Sequence, residues 1–298
     1  MPAVGIGRKL IVVRNLLTIL GLSFLGIVLL PAQNAPSNTL SAAQSHAVVG
    51  LALDNELRAA EDTSHPMRYC LRKSTPRLTS TKEIYESKDG DVARLLTING
   101  QPLNPEAEQD ERSRLNELAG DPDRQRHRMQ AEDADRAHAI NVLRALSSAF
   151  TYHYAGIVES STGLAERFTF QPNPGFSPPD LETQVLTAMT GEIWINAAQE
   201  RVVRLQGRLQ HDVDFGWGIL GRLYKGGWIA IDQAEVAPGQ WRTVRLQMEM
   251  SGRVVFKTRS FDTTEEESDF APLPANMSYG EAIEKLQSGV FDTEARKQ

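Results

Sequence analysis

The feature that most restricts the fold is a two-residue alternation running through the second half of the chain. Val244, Leu246, Met248 and Met250 alternate with Thr243, Arg245, Gln247 and Glu249. A period of two places the apolar set on one face of a strand and the polar set on the other. Phe168 and Phe170 repeat the pattern between Arg167, Thr169 and Gln171, and Ile193 and Ile195 repeat it between Glu192, Trp194 and Asn196. After a tight turn at Ala197 to Glu200, Val203, Leu205 and Leu209 oppose Arg204, Gln206 and Arg208. Lys225-Gly226-Gly227, Pro238-Gly239 and Ser251-Gly252 add turns, at the roughly 12–14-residue rhythm of a meander. One dry and one wet face per strand means antiparallel pairing rather than a parallel sheet buried on both sides. From Thr151 onward the chain therefore predicts about seven antiparallel strands.

Earlier in the chain the texture varies. Met67, Tyr69 and Leu71 alternate with Arg68, Cys70 and Arg72, and Thr81 to Ser87 turns through Asp89-Gly90 into Val92 to Ile98, which ends at Asn99-Gly100. The stretch from Asn104 to Phe150 is charge-rich and poor in β-branched residues. Asn104 is placed to cap a helix whose first turn holds Pro105, Glu106 and Glu108, with Leu115 and Leu118 as its apolar face. Gly120-Asp121-Pro122 breaks that helix, and Asp121 caps a second whose buried stripe is Ile140, Leu143 and Leu146. Ala47 to Asp62 predicts a short helix, as does Tyr279 to Leu286. Thr263 to Asp269, a run of acids and hydroxyls, reads as solvated tail. The Pro172 to Asp180 segment, with its four prolines, reads as a loop. Together these give an α+β fold: a curved antiparallel sheet, an incomplete β-barrel, with helices packed over its concave face. The expected organisation is a linker over 33–46, one domain over 47–270 with a helical insert at 104–150, and a C-terminal tail over 271–298.

The first 32 residues carry a different message. Arg8, Lys9 and Arg14 precede an apolar run from Leu16 to Leu30, followed by Pro31-Ala32-Gln33. This is the layout of a signal peptide over 1–32, or of an uncleaved N-terminal anchor. Fifteen helical residues reach only about 22 Å, short of the ~30 Å hydrocarbon core. Either way the chain is expected to be exported to the periplasm. A single cysteine, Cys70, excludes an intramolecular disulfide framework. A formal charge of -6 argues against a nucleic-acid binder, which needs a basic face.

Catalytic vocabulary is sparse. No nucleophile elbow, metalloprotease helix, phosphate loop or dinucleotide fingerprint is present, so the expectation is a non-enzymatic protein needing no cofactor. His127 and His138 share a helix face but stand about 16 Å apart along it. His211-Asp212-Val213-Asp214 puts two carboxylates on one strand face, where they could hold a hard cation or simply meet solvent. Glu265-Glu266-Glu267 and Asp269 read as a solvated terminus. Trp194, Trp217, Trp228 and Trp241 all lie in the meander, where large aromatics either fill a core or line a groove.

The order of elements, with the strand Gly191-Glu192-Ile193-Trp194-Ile195-Asn196 turning back as Arg201-Val202-Val203-Arg204-Leu205, resembles the LolA/LolB-type family of lipoprotein carriers and outer-membrane lipoprotein-sorting proteins. The resemblance spans roughly Met67 to Phe270, and the long charged helical insert departs from it. It implies a half-barrel whose hydrophobic cavity, lidded by helices, takes acyl chains, with lipid or a lipidated protein as partner. The residues then expected at the cavity are Trp194, Leu205, Trp217, Trp228, Trp241, Leu246 and Met248. A periplasmic scaffold or sensor domain, binding another envelope protein through its sheet face, is the alternative.

Overall fold

The computed structural model describes residues 40–216, 221–254 and 257–288. The proposed signal over 1–32, the first half of the linker (33–39), and Trp217 lie outside them. The described elements are α1 (Ala42–Glu61), β1 (Met67–Ser74), β2 (Thr79–Tyr85), β3 (Val92–Ile98), β4 (Gln101–Pro102), α2 (Pro105–Ala119), α3 (Pro122–Ala149), β5 (Phe150–Ser160) and β6 (Gly163–Pro172). A 3₁₀ helix (Thr183–Ala188) follows, then β7 (Met189–Asn196), β8 (Arg201–Leu209), β9 (Val213–Phe215), β10 (Gly221–Leu223), β11 (Trp228–Ala237), β12 (Gln240–Val254), β13 (Lys257–Pro272) and α4 (Tyr279–Ser288). The strands form one sheet in the order β4-β3-β2-β1-β13-β12-β11-β8-β7-β6-β5, with β9 and β10 attached beside β12. Every pairing is antiparallel. The order ends on β4 and β5 without closing, so the expected α+β incomplete barrel is the observed one.

Local chemistry explains the helices. The Asn104 side chain accepts from the Ala107 amide at 2.8 Å and Asp121 accepts from Arg124 at 2.9 Å, each just ahead of a proline in the first turn. At α1 the structure corrects the sequence reading. The helix starts at Ala42, inside the expected linker, because Ser41 and Gln44 cap each other reciprocally. Three further expectations change. Among the described residues nine strands follow α3 rather than about seven, two of them only three residues long. The acid-rich stretch 263–269 is no tail but the body of β13, between β1 and β12. The expected tail over 271–298 carries α4, whose Tyr279, Ala282, Ile283 and Leu286 are buried.

Two cores lie on the helix-covered side. The larger joins Val49, Ala52 and Leu53 of α1 and Leu146 and Ala149 of α3 to Phe150, Phe168, Phe170 and Ile193 of β5, β6 and β7. The smaller joins Leu115 and Leu118 of α2 and the α4 residues to Tyr85 and Val92 of the first strands. Cross-strand partners share a face, so register identifies the rows. One row on the covered face runs Phe168, Ile193, Leu205, Ile231, Leu246. The next runs Phe170, Gly191, Gly207, Ile229, Met248. Gly191 and Gly207 lack side chains for a steric reason: a Cβ on Gly191 would lie 2.8 Å from Phe170 Cζ, and one on Gly207 would lie 2.5 Å from the Met189 sulfur.

The opposite face is a charge ladder. Arg167, Trp194, Arg204, Asp232, Arg245, Glu266 and Arg72 are successive partners across seven strands. Arg204 meets Asp232 at 2.5 Å and Arg72 meets Glu266 at 2.8 Å. A bulge in β8 complicates the face pattern: Trp194 pairs with Arg204 and Ile195 with Val202, which leaves Val203 without a partner on β7. Val203 therefore packs with Ala165 and Trp241 instead of joining Leu205.

Candidate functional site

Along the row from Phe168 to Leu246 the covering changes. Phe168 and Ile193 are fully buried, whereas Leu205, Ile231 and Leu246 are only half-buried. Beyond β7 the helices stand off the sheet and leave a hollow of about 930 Å³. This is the upper end of the range for sites that enclose small molecules. Leu205, Ile229 and Ile231 form its floor, Leu143 and Leu146 of α3 face them, and Leu186 of the 3₁₀ helix and Leu181 close a side. The last turn of α1 presents Ala59 and Ala60 to the space. Small residues there keep it open where larger ones would fill it.

Three polar members of the lining, Glu56, Arg201 and Gln233, form one connected group. Glu56 of α1 and Arg201 of β8 are 8% and 12% exposed in their side chains. Arg201 donates to Glu56 through Nε at 2.8 Å and Nη2 at 2.9 Å, the Val202 amide donates at 3.0 Å, and Gln233 Nε2 donates at 3.2 Å. Four donors on one carboxylate satisfy a charge that would otherwise be costly to bury. Arg201 also lies over the Trp241 ring, 5.6 Å from its centroid. This group ties α1 to the rim of the sheet beside the hollow.

The residues expected at the cavity divide. Leu205 and Trp241 line the hollow. Leu246 and Met248 share its face by register, one strand farther out than the floor residues Ile231 and Ile229. Trp194 and Trp228 are on the other face and do not belong to it. Trp194 stacks under Arg204 and donates to Glu192 at 3.1 Å, and Trp228 donates to Glu249 at 3.1 Å. The alternation of Trp194 with Ile193 and Ile195 already carried that outcome. Ile229 and Ile231 were overlooked, although they alternate with Trp228, Ala230 and Asp232. Glu56 carried no local signal, because its partner is remote in sequence.

Other candidate chemistry is absorbed by structure. Asp212 and Asp214 face Arg222, whose Nη2 meets Asp214 at 3.0 Å, and the Lys225 amide donates to Asp212 at 2.8 Å. Among the described residues no three His, Cys, Asp or Glu side chains gather as a metal site. Burial, with Asp269 and Glu83 nearby, pushes the half-buried Cys70 thiol up to about 11, so it stays protonated. A separate polar cleft between α3 and the first strands holds Asp91, Glu86 and Glu132 with Arg136 and Arg242. Burial first, then Glu132 and Glu86, push the Asp91 carboxyl up to about 7, against the opposing pull of Arg136 and Arg128. Glu267 is likewise pushed up to about 7 by burial and by Glu265 and Glu86.

Fold and site together define an open antiparallel half-barrel with an apolar hollow between sheet and helices. No protein-family model and no curated protein matches the sequence. Two solved structures are similar. One is a domain described as an outer membrane lipoprotein-sorting protein from Vibrio parahaemolyticus, 10% identical, with 83% of this chain and 99% of that one covered at a TM-score of 0.28. The other is a DUF1329 family protein from Desulfovibrio piger ATCC 29098, 9% identical, with 85% and 99% covered at a TM-score of 0.28. At this identity and TM-score, what the hollow does must be read from the chain's own geometry. No helix among the described residues is long and apolar enough to cross a membrane.

Proposed function

We propose that this is an exported, non-enzymatic protein of the cell envelope that takes acyl chains, from a lipid or a lipidated protein, into the hollow between sheet and helices. The observation that carries the reading is the half-buried set Leu205, Ile229 and Ile231, which forms the floor of an apolar space of about 930 Å³. Acyl burial is worth ~0.8 kcal/mol per CH₂, so ten methylenes leaving water gain about 8 kcal/mol before the costs of ordering. That gross gain lets a chain leave a membrane for a protein only if the receiving space is as apolar as this one. The covering helices are charged on their outer faces, so the protein stays soluble around a greasy cargo.

The test is binding of a fluorescent fatty-acid probe to the purified protein, alongside native mass spectrometry for lipid retained from membranes. The probe is expected to bind, and Leu205→Trp, which fills the floor, weakens it about tenfold or more while the fold is retained by circular dichroism. Probe affinity unchanged in that variant, or no binding by the unaltered protein, removes the reading.

A further inference from the structure

The polar end of the hollow opens onto a second hollow of about 430 Å³, and the two share Ala59, Arg201, Trp241 and Arg242. The second is polar, and three guanidinium groups border it: Arg58, Arg201 and Arg242. Their states differ. Arg201 is committed to Glu56. Arg242 is half-buried, donates to the His65 carbonyl at 2.9 Å and lies 3.9 Å from Glu86. Arg58 is exposed on α1 and bonds only the neighbouring Asn55 side chain, with no carboxylate within 4.0 Å among the described residues. The acids bordering the same space are Asp62 and Glu200. Asp62 is occupied, accepting from the Ser64 amide at 2.8 Å and from the Ser64 hydroxyl at 2.5 Å.

We propose that the cargo is an anionic, phosphate-headed lipid, its chains in the apolar hollow and its phosphate in the adjoining polar one against Arg58 and Arg242. The proposal rests on the acyl-binding reading and adds the head group to it. A chain in the large hollow leaves through the end where the apolar lining gives way to the guanidinium groups, so its head group comes to rest there. Guanidinium forks match phosphate oxygens two at a time, and the partly enclosed position of Arg242 strengthens the attraction over that of a fully solvated pair. Arg201, held by Glu56, fixes the wall between the two spaces and does not need to bind.

The experiment is displacement of the bound fatty-acid probe by two lipids of identical acyl chains, phosphatidylglycerol and diacylglycerol, in the same detergent. Phosphatidylglycerol is expected to displace the probe at about tenfold lower concentration, a gap that narrows as salt is raised. Arg58→Glu, a change on an exposed helix surface, is expected to cut the gap to about threefold or less and to leave diacylglycerol unchanged. Arg242→Gln is the second variant and should act in the same direction. Equal displacement by the two lipids, or a gap untouched by Arg58→Glu, overturns the head-group assignment while probe binding keeps the acyl reading. Absence of probe binding in the unaltered protein overturns both.

Discussion

Replacing Glu56 with Gln tests whether the Glu56–Arg201 pair holds α1 to the sheet. Gln is nearly isosteric, and its carbonyl oxygen can still accept from the Val202 amide, so the change removes mainly the charge and the second arm of the fork at 2.8 and 2.9 Å. Arg201, 12% exposed in its side chain, is then left as a buried cation without its counter-ion. Breaking a buried pair from one side typically costs about 3–5 kcal/mol, a large share of the 5–15 kcal/mol that holds a typical domain folded. We expect about 3 kcal/mol here, because the Trp241 ring remains beside the guanidinium. Adding Arg201→Met removes the stranded charge, so the double variant should recover most of the loss and settle within about 1 kcal/mol of the parent. The assay is equilibrium urea denaturation with the slopes compared, so that a changed unfolded state is not mistaken for changed stability. The refuting result is a cost below about 1 kcal/mol for Glu56→Gln, or a double variant that loses the sum of the two single losses.

Two further outcomes follow from the geometry. Asp91 has a folded pKa raised to about 7 from 3.8; its contribution to stability is therefore full below about pH 4 and lost as pH rises through 7. Asp91→Asn should match the parent at pH 4 and exceed it at pH 8 by about 2 kcal/mol, half the full linkage value because Glu86, itself raised by burial, titrates with it; a variant no more stable than the parent at pH 8 contradicts this. At Gly191 an added Cβ would stand 1.9 Å from the Gln206 carbonyl oxygen, whereas at Gly50 of α1 nothing lies within 4 Å. Gly191→Ala is expected to lose about 3 kcal/mol and Gly50→Ala to gain about 0.5–1 kcal/mol in thermal or urea unfolding, and like signs for the two would refute the packing argument.

Local rules carried much of the fold. Asn104, Pro105, Asp121 and Pro122 marked α2 and α3 by capping chemistry, and the alternation around Phe168 and Ile193 marked the strands. The Ser41–Gln44 capping signature was equally legible, yet the small polar residues around it favoured a linker reading. At the site the aromatic side chains misled: size suggested Trp194 and Trp228 for the cavity, while parity assigns them to the other face. Parity in turn fails at Val203, because a bulge depends on the partner strand and has no local sign. The partnership of Glu56 with Arg201 joins a helix to a strand 145 residues away. Single-sequence periodicity, which reports only neighbours on one element, cannot reach that far.

The pairing of β1 with β13 has a consequence for how the protein assembles. Met67 lies opposite Pro272, roughly 200 residues away along the chain, while β5, β6 and β7 join only to sequence neighbours. Closing so long a loop has an entropic cost that only the finished contacts repay, so the hairpins around the larger core form first and the first strands wait for the last long strand. Until then the edge of β13 is an unpaired template open to a second chain. Folding speed and aggregation are thus governed by the closing of one seam, where Glu265 and Glu266 of β13 meet Lys73 and Arg72 of β1.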